Sequence, residues 1–181
     1  ADLLKQGAST LHLEKSGRTA ADYLLAGYLK YQRHRQAQLA DEKTFIQYWS
    51  RVRPQTLTYE CENRLFHVDS HSMLFFLLLL MRNTADSQPR QYSRNDDDIV
   101  LQTNIGAFCM EELERFAALM PDEILPPYRK KRTYINGVMA LHEEKKDSPY
   151  CKKAFVRAER GWYVLNPVII WGYAPVSEEP S

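Results

Sequence analysis

Cysteine is scarce. The 181 residues hold three, Cys61, Cys109 and Cys151, odd in number and far apart. None stands in a C-x-x-C pair or in metal-ligand spacing, so the sequence offers neither a disulfide framework nor a zinc motif. We expect reduced thiols and hence an intracellular protein, and the residues contain no signal-peptide or lipidation pattern. Charge of one sign is lacking as well. With 24 basic and 23 acidic residues the net charge is +1, which excludes a global pull toward nucleic acid, membrane or acidic substrate. Only local clusters remain to argue from. No apolar run approaches the roughly 20 residues of a membrane-spanning helix, so we expect no membrane partner, and no motif calls for a cofactor or a metal. The length fits one domain of about 100–150 residues with an appendage.

What the chain does have is an unbroken apolar run from Met73 to Met81. Leu, Phe and Met without a β-branched residue favour a helix over a strand. Ser70 or Ser72 can cap its start, and Arg82 suits the negative end of the helix dipole. Apolar on every face, the helix must be buried on every face. It is expected to be the centre of a unit reaching from Thr44 to Pro175, and to carry no chemistry.

At the N-terminus, L-L-K-Q-G-A (Leu3 to Ala8) is followed by S-G-R-T-A-A-D (Ser16 to Asp22). Gly7 permits the left-handed conformation that ends a helix, Gly17 permits a tight turn, and Thr19 can cap the next helix. These segments resemble the junction between two ankyrin repeats, and T-A-x-D resembles a final repeat. The resemblance implies helices at Leu3 to Ala8 and Ala20 to Tyr31 joined over Gly17, and either further repeats upstream or a helix of this domain acting as the cap. Past Asp22 the chain departs from that pattern and reads as one long helical stretch toward Leu39. Tyr23, Leu24, Tyr28, Tyr31 and Leu39 form its apolar stripe and Lys30, Arg33, His34 and Arg35 its basic face, which reads as a solvated connecting helix. F-I-Q-Y-W-S-R-V (Phe45 to Val52) fits helix or strand until Pro54 ends it.

Thr56 to Val68 alternates and reads as a β-hairpin turning at Asn63-Arg64. His67 and Asp69, two apart on a strand, share a face. The polar loop from Asn83 to Asp98 reads as exposed, and Ile99 to Leu101 as a short strand. Cys109 then falls at the first turn of a helix reaching about Met120, where the dipole favours a thiolate. Asp69-Ser70 and the later Q-T-N…C (Gln102 to Cys109) resemble the ubiquitin-like-protein-specific cysteine proteases. The resemblance implies Asp69 as orienting acid, Gln102 as oxyanion donor and Cys109 as nucleophile. The chain departs from that family in having Met110 after the cysteine and Tyr48-Trp49 in place of a His-Trp pair, which leaves no general base assigned, His67 being a poor substitute on spacing. A catalytically inactive relative, or a buried structural thiol, fits the same residues.

Pro126-Pro127 precede Tyr128-Arg-Lys-Lys-Arg132, read as opening a helix with Tyr134, Ile135, Val138, Met139 and Leu141 at helical spacing. Lys152 to Leu165 reads as a hairpin turning at Arg160-Gly161. Two helices and a hairpin ending G-W-Y-V-L-N-P resemble a winged helix. That resemblance implies phosphate contacts from Arg129, Lys130, Lys131 and Arg132 on the helix and from Lys152, Lys153, Arg157 and Arg160 on the wing. Solvated basic residues, partly cancelled by Glu143, Glu144 and Asp147, are the plainer reading. Val168 to Tyr173 reads as a last buried strand.

The expected architecture is α+β. Ankyrin-type helices and a connecting helix (1–43) pack on a mixed domain with a buried central helix and short antiparallel strands (44–176), winged-helix-like from 107, before a tail (177–181). The expected function is protein–protein interaction within a larger intracellular ankyrin-repeat protein, whose partner is another protein on the ankyrin-type surface. The alternatives are a cysteine hydrolase or its inactive relative, and a winged-helix domain that binds nucleic acid.

Overall fold

A computed structural model describes residues 18–33, 39–85 and 106–172. The expected helix at Leu3 to Ala8, the turn at Gly17, most of the polar loop, the strand at Ile99 to Leu101, Gln102 and the tail lie outside them. Within them the chain is α+β. Helix α1 (Ala20–Arg33) begins just after Thr19, whose amide and hydroxyl both donate to the Asp22 carboxylate at 2.8 Å, so Asp22, not the Thr19 hydroxyl, is the acceptor that closes the turn. Ala21, Leu25, Tyr28 and Leu29 form its buried face.

The long helical stretch toward Leu39 is corrected to two helices. The second, α2 (Leu39–Val52), takes in the stretch that fits helix or strand by sequence. Its buried residues Phe45, Trp49 and Val52 recur at helical spacing, which is why a strand loses. Tyr28 stacks on Phe45 with ring centroids 3.8 Å apart and joins the two helices.

Strands β1 (Thr56–Cys61) and β2 (Arg64–Asp69) form the expected hairpin, with Thr56 opposite Asp69 and Cys61 opposite Arg64. The turn is Glu62-Asn63, one residue earlier than expected. Both residues have positive φ, 51° and 60°, the left-handed pair that matches strand twist in a two-residue loop.

Helix α3 (Met73–Ala85) carries the apolar run. Every residue from Met73 to Met81 is at most 3% exposed. Ser72, of the two candidate caps, accepts the Phe75 amide at 3.2 Å. Around α3 a single hydrophobic cluster gathers residues from α1, α2, both sheets and the later helices, so α1 is built into the core of the mixed domain.

Strand β3 (Phe108–Cys109) leads into α4 (Met110–Ala118), whose Met110, Leu113 and Ala117 face inward. Helix α5 (Arg132–Leu141) begins four residues later than expected. Turns closed by Arg129 N–H on Pro126 and Lys130 N–H on Pro127 occupy the residues before it, since the two prolines favour turn over helix. Ile135 and Met139 anchor α5 on the core.

Strands β4 (Phe155–Glu159) and β5 (Trp162–Leu165) form the second expected hairpin, turning at Arg160-Gly161 with Gly161 at φ 81°. An irregularity between Arg157 and Glu159 shifts its register. The last strand is β6 (Ile170–Trp171). It is shorter and less buried than expected, with Val168 and Ile170 more than half exposed.

The strands form two three-stranded antiparallel sheets, ordered β2-β1-β6 and β3-β5-β4. Among the described residues no helix is long and apolar enough to cross a membrane.

Candidate nucleic-acid interface

Helix α5 buries Ile135 and Met139, which leaves Arg132, Thr133 and Asn136 on its outer side. Beside it the β4–β5 hairpin brings Arg157, Arg160 and Gly161 alongside. Together with Met110 and Tyr163 these side chains line a groove of about 460 Å³. Arg157 donates to the Tyr163 hydroxyl at 2.8 Å and lies 3.3 Å from the Glu143 carboxylate, its guanidinium 5.4 Å from the Tyr163 ring centroid. The hydrogen bond to Tyr163 is the main cause that raises its already high pKa, so the cation is fixed. Arg132 and Arg160 have no ion-pair partner among the described residues.

Three of the other expected basic residues, Arg129, Lys130 and Lys153, are engaged elsewhere. Arg129 donates to the His71 carbonyl and lies over the Tyr128 ring. Lys130 donates to the Met120 carbonyl at 2.6 Å and pairs with Asp122 at 2.5 Å, pinning the segment before α5. Lys131 is exposed at the N-cap. Lys153 adopts φ 54° and gives its Nζ to the Glu144 carbonyl, while its own carbonyl accepts from Asn166 Nδ2 at 2.9 Å. The Lys152 amide donates to His142 Nδ1 at 3.2 Å. The Lys153 side chain serves the fold, whereas for Lys152 only the backbone amide is engaged. Sequence reasoning misses Thr133, Asn136 and Tyr163, and places Glu143 only as one of the nearby acids, not as the partner of Arg157. The first two are legible as neighbours of Arg132 on one helix face, Tyr163 only through its pairing with Arg157 across strands.

Cys109, the one cysteine not fully buried, is the N-cap of α4, and its amide donates to Glu112 at 3.2 Å. It belongs to the β3-β5-β4 sheet, whereas His67 and Asp69 belong to β2-β1-β6. His67 meets Thr58 Oγ1 at 3.0 Å, and Asp69 accepts from the His71 amide at 2.6 Å and lies 3.2 Å from its Nδ1. His67 and Asp69 share the exposed face of β2, but Asp69 hydrogen-bonds His71. His71 Nε2 lies 2.8 Å from Arg53 Nη2, and a guanidinium only donates, so Nε2 accepts and Nδ1 holds the proton given to Asp69. The His71 amide, foremost, holds the Asp69 carboxyl below its usual range. No hydrogen bond joins Cys109 to His67 or Asp69 among the described residues. Gln102 lies outside them.

Cys61 and Cys151 are buried thiols on either side of Lys153. Cys61 points to its carbonyl at 3.7 Å, and its amide donates to the Cys151 sulfur at 3.4 Å. Burial pushes the Cys61 thiol up, away from the reactive thiolate. Among the described residues no group of three or more His, Cys, Asp or Glu side chains is arranged to hold a metal ion. Comparison with protein-family models, curated proteins and solved structures finds no significant match to this chain.

Proposed function

We propose that this chain binds nucleic acid through α5 and the β4–β5 turn. The observation that carries the reading is the groove in which Arg132, Arg157 and Arg160 converge beside the polar outer face of α5. The two helices α4 and α5 followed by a hairpin fit the winged-helix resemblance, in which the second helix meets the bases and the turn meets the backbone. A near-neutral chain needs its cations gathered at one place to hold phosphates, and these three are. Thr133 and Asn136 add donors and acceptors next to them, the chemistry that base edges require.

Binding of labelled DNA duplexes at several salt concentrations tests this. Affinity should fall steeply with salt. Arg132→Ala with Arg160→Ala should weaken binding and flatten the log–log slope by about 0.9 for each phosphate that the variant no longer neutralises. Salt-independent or absent binding at low salt sinks the reading.

A second reading rests on a different face. Tyr23, Leu24, Gly27, Tyr28, Thr44, Phe45 and Tyr48 line an apolar groove of about 320 Å³ between α1 and α2. That α1 follows the ankyrin-like segment in the sequence supports protein–protein interaction there, within a longer intracellular repeat protein. Tyr23→Ala and Tyr48→Ala should then weaken a partner that upstream repeats also contact. The cysteine-hydrolase reading is carried no further, because Asp69 is engaged by His71 and His67 by Thr58.

A further inference from the structure

We infer that Glu143 is a built-in competitor for phosphate at Arg157, an inference that rests on the nucleic-acid reading of the groove. Glu143 directly follows His142, the C-cap of α5. Its backbone bridges to Phe155 in parallel, its carbonyl accepts from Cys151 Sγ at 3.2 Å, and the next amide, that of Glu144, donates to Phe155 at 2.8 Å. The side chain is only 19% exposed. The carboxylate therefore projects from a fixed stretch of backbone, is mostly shielded from solvent and has Arg157 as its ion-pair partner.

Arg157 sits between two acceptors, the Tyr163 hydroxyl at 2.8 Å and the Glu143 carboxylate at 3.3 Å. Its charge is already partly neutralised, whereas Arg132 and Arg160 have no ion-pair partner among the described residues. An incoming phosphate meets two open cations and one occupied one. To reach Arg157 it must displace the carboxylate or lie close to it against like-charge repulsion. Glu143 therefore lowers affinity for any single phosphate. It favours ligands whose several phosphates engage Arg132 and Arg160 first, as a continuous backbone does.

The test compares the intact chain with Glu143→Gln, Arg157→Gln and the double variant, measuring fluorescence anisotropy of a labelled DNA duplex across a salt series. Gln keeps the shape and a neutral acceptor for Arg157. Glu143→Gln is expected to tighten binding several-fold and to steepen the log–log salt slope by about 0.9, the increment for one more neutralised phosphate. In the Arg157→Gln background the same change should leave affinity and slope unmoved. If the intact chain binds with a steep salt dependence and Glu143→Gln binds equally or more weakly, the competitor role is overturned while the nucleic-acid reading stands. A several-fold gain that persists without Arg157 also overturns it, because the carboxylate would then act on the field of the whole groove. If no variant binds the duplex at low salt, the nucleic-acid reading falls and this inference with it.

Discussion

Asp22 and Arg82 form an ion pair that joins α1 to the end of α3, with side-chain exposures of 0% and 6%. Arg82 Nε reaches Asp22 Oδ1 at 2.9 Å, and Asn83 Nδ2 reaches the same oxygen at 2.9 Å. Thr19 supplies the other carboxylate oxygen with two donors, and the guanidinium lies 4.5 Å from the Trp171 ring centroid. Removing one partner leaves a buried charge uncompensated. Asp22→Asn is expected to destabilise the fold by about 3–5 kcal/mol, whereas replacing both residues by apolar ones of similar volume should cost much less. Urea unfolding of Asp22→Asn and of the double variant checks this. A small effect of Asp22→Asn would show that solvent reaches the pair.

Truncating α3 should be similarly costly. Leu77 and Leu78 are fully buried. Leu77→Ala or Leu78→Ala is expected to destabilise by about 2–5 kcal/mol through reduced burial and a residual cavity. Denaturant midpoints measure it. Unchanged stability together with a weakened partner would mean that the helix docks instead of filling the core.

His142 sets a pH dependence. Burial, with the nearby Lys152 cation, lowers its pKa to about 4 in the folded chain, from an ordinary value of 6.5. The unfolded chain then binds more protons than the folded one between those values, so stability rises with pH across that window. The contribution is complete above about pH 6.5 and is lost as pH falls toward 4, a change of about 3 kcal/mol. Urea midpoints at neutral and mildly acidic pH should separate for the natural chain. They should separate less for His142→Gln, whose amide oxygen can still accept the Lys152 N–H.

Thiol reactivity should sort the cysteines by exposure. Cys109 is half-buried, while Cys61 and Cys151 are buried. A thiol-specific colorimetric reagent is expected to titrate Cys109 alone under native conditions and all three after unfolding. A ubiquitin-type active-site probe should leave Cys109 unlabelled. Labelling that Cys109→Ala abolishes would restore the hydrolase reading.

The central helix is legible in the sequence because nine neighbouring residues state it together, and both hairpins because alternation and turn chemistry are local. Asp22–Arg82 is not, since its partners stand 60 positions apart. By sequence the acid looks like a repeat-turn residue and the base like a dipole cation. The basic run before α5 looks like one patch. Its members divide because Arg129 meets the His71 carbonyl and Lys130 meets Asp122, acceptors that spacing alone does not disclose. Strand periodicity assigns Asp69 to His67, but the tight turn after β2 brings His71 nearer. For Asp22 and Arg129 the partner is distant in sequence, and for Asp69 it lies in the turn just past the strand.

The pairing of β1 with both β2 and β6 also orders events in time. The hairpin closes over two residues, whereas Tyr59 must wait for Trp171 from the far end of the domain. Closing so long a loop costs more chain entropy and is repaid only when the strand has docked. The hairpin and the apolar helix are thus expected to form early, and β6, which brings the Trp171 ring over Arg82, to pair late.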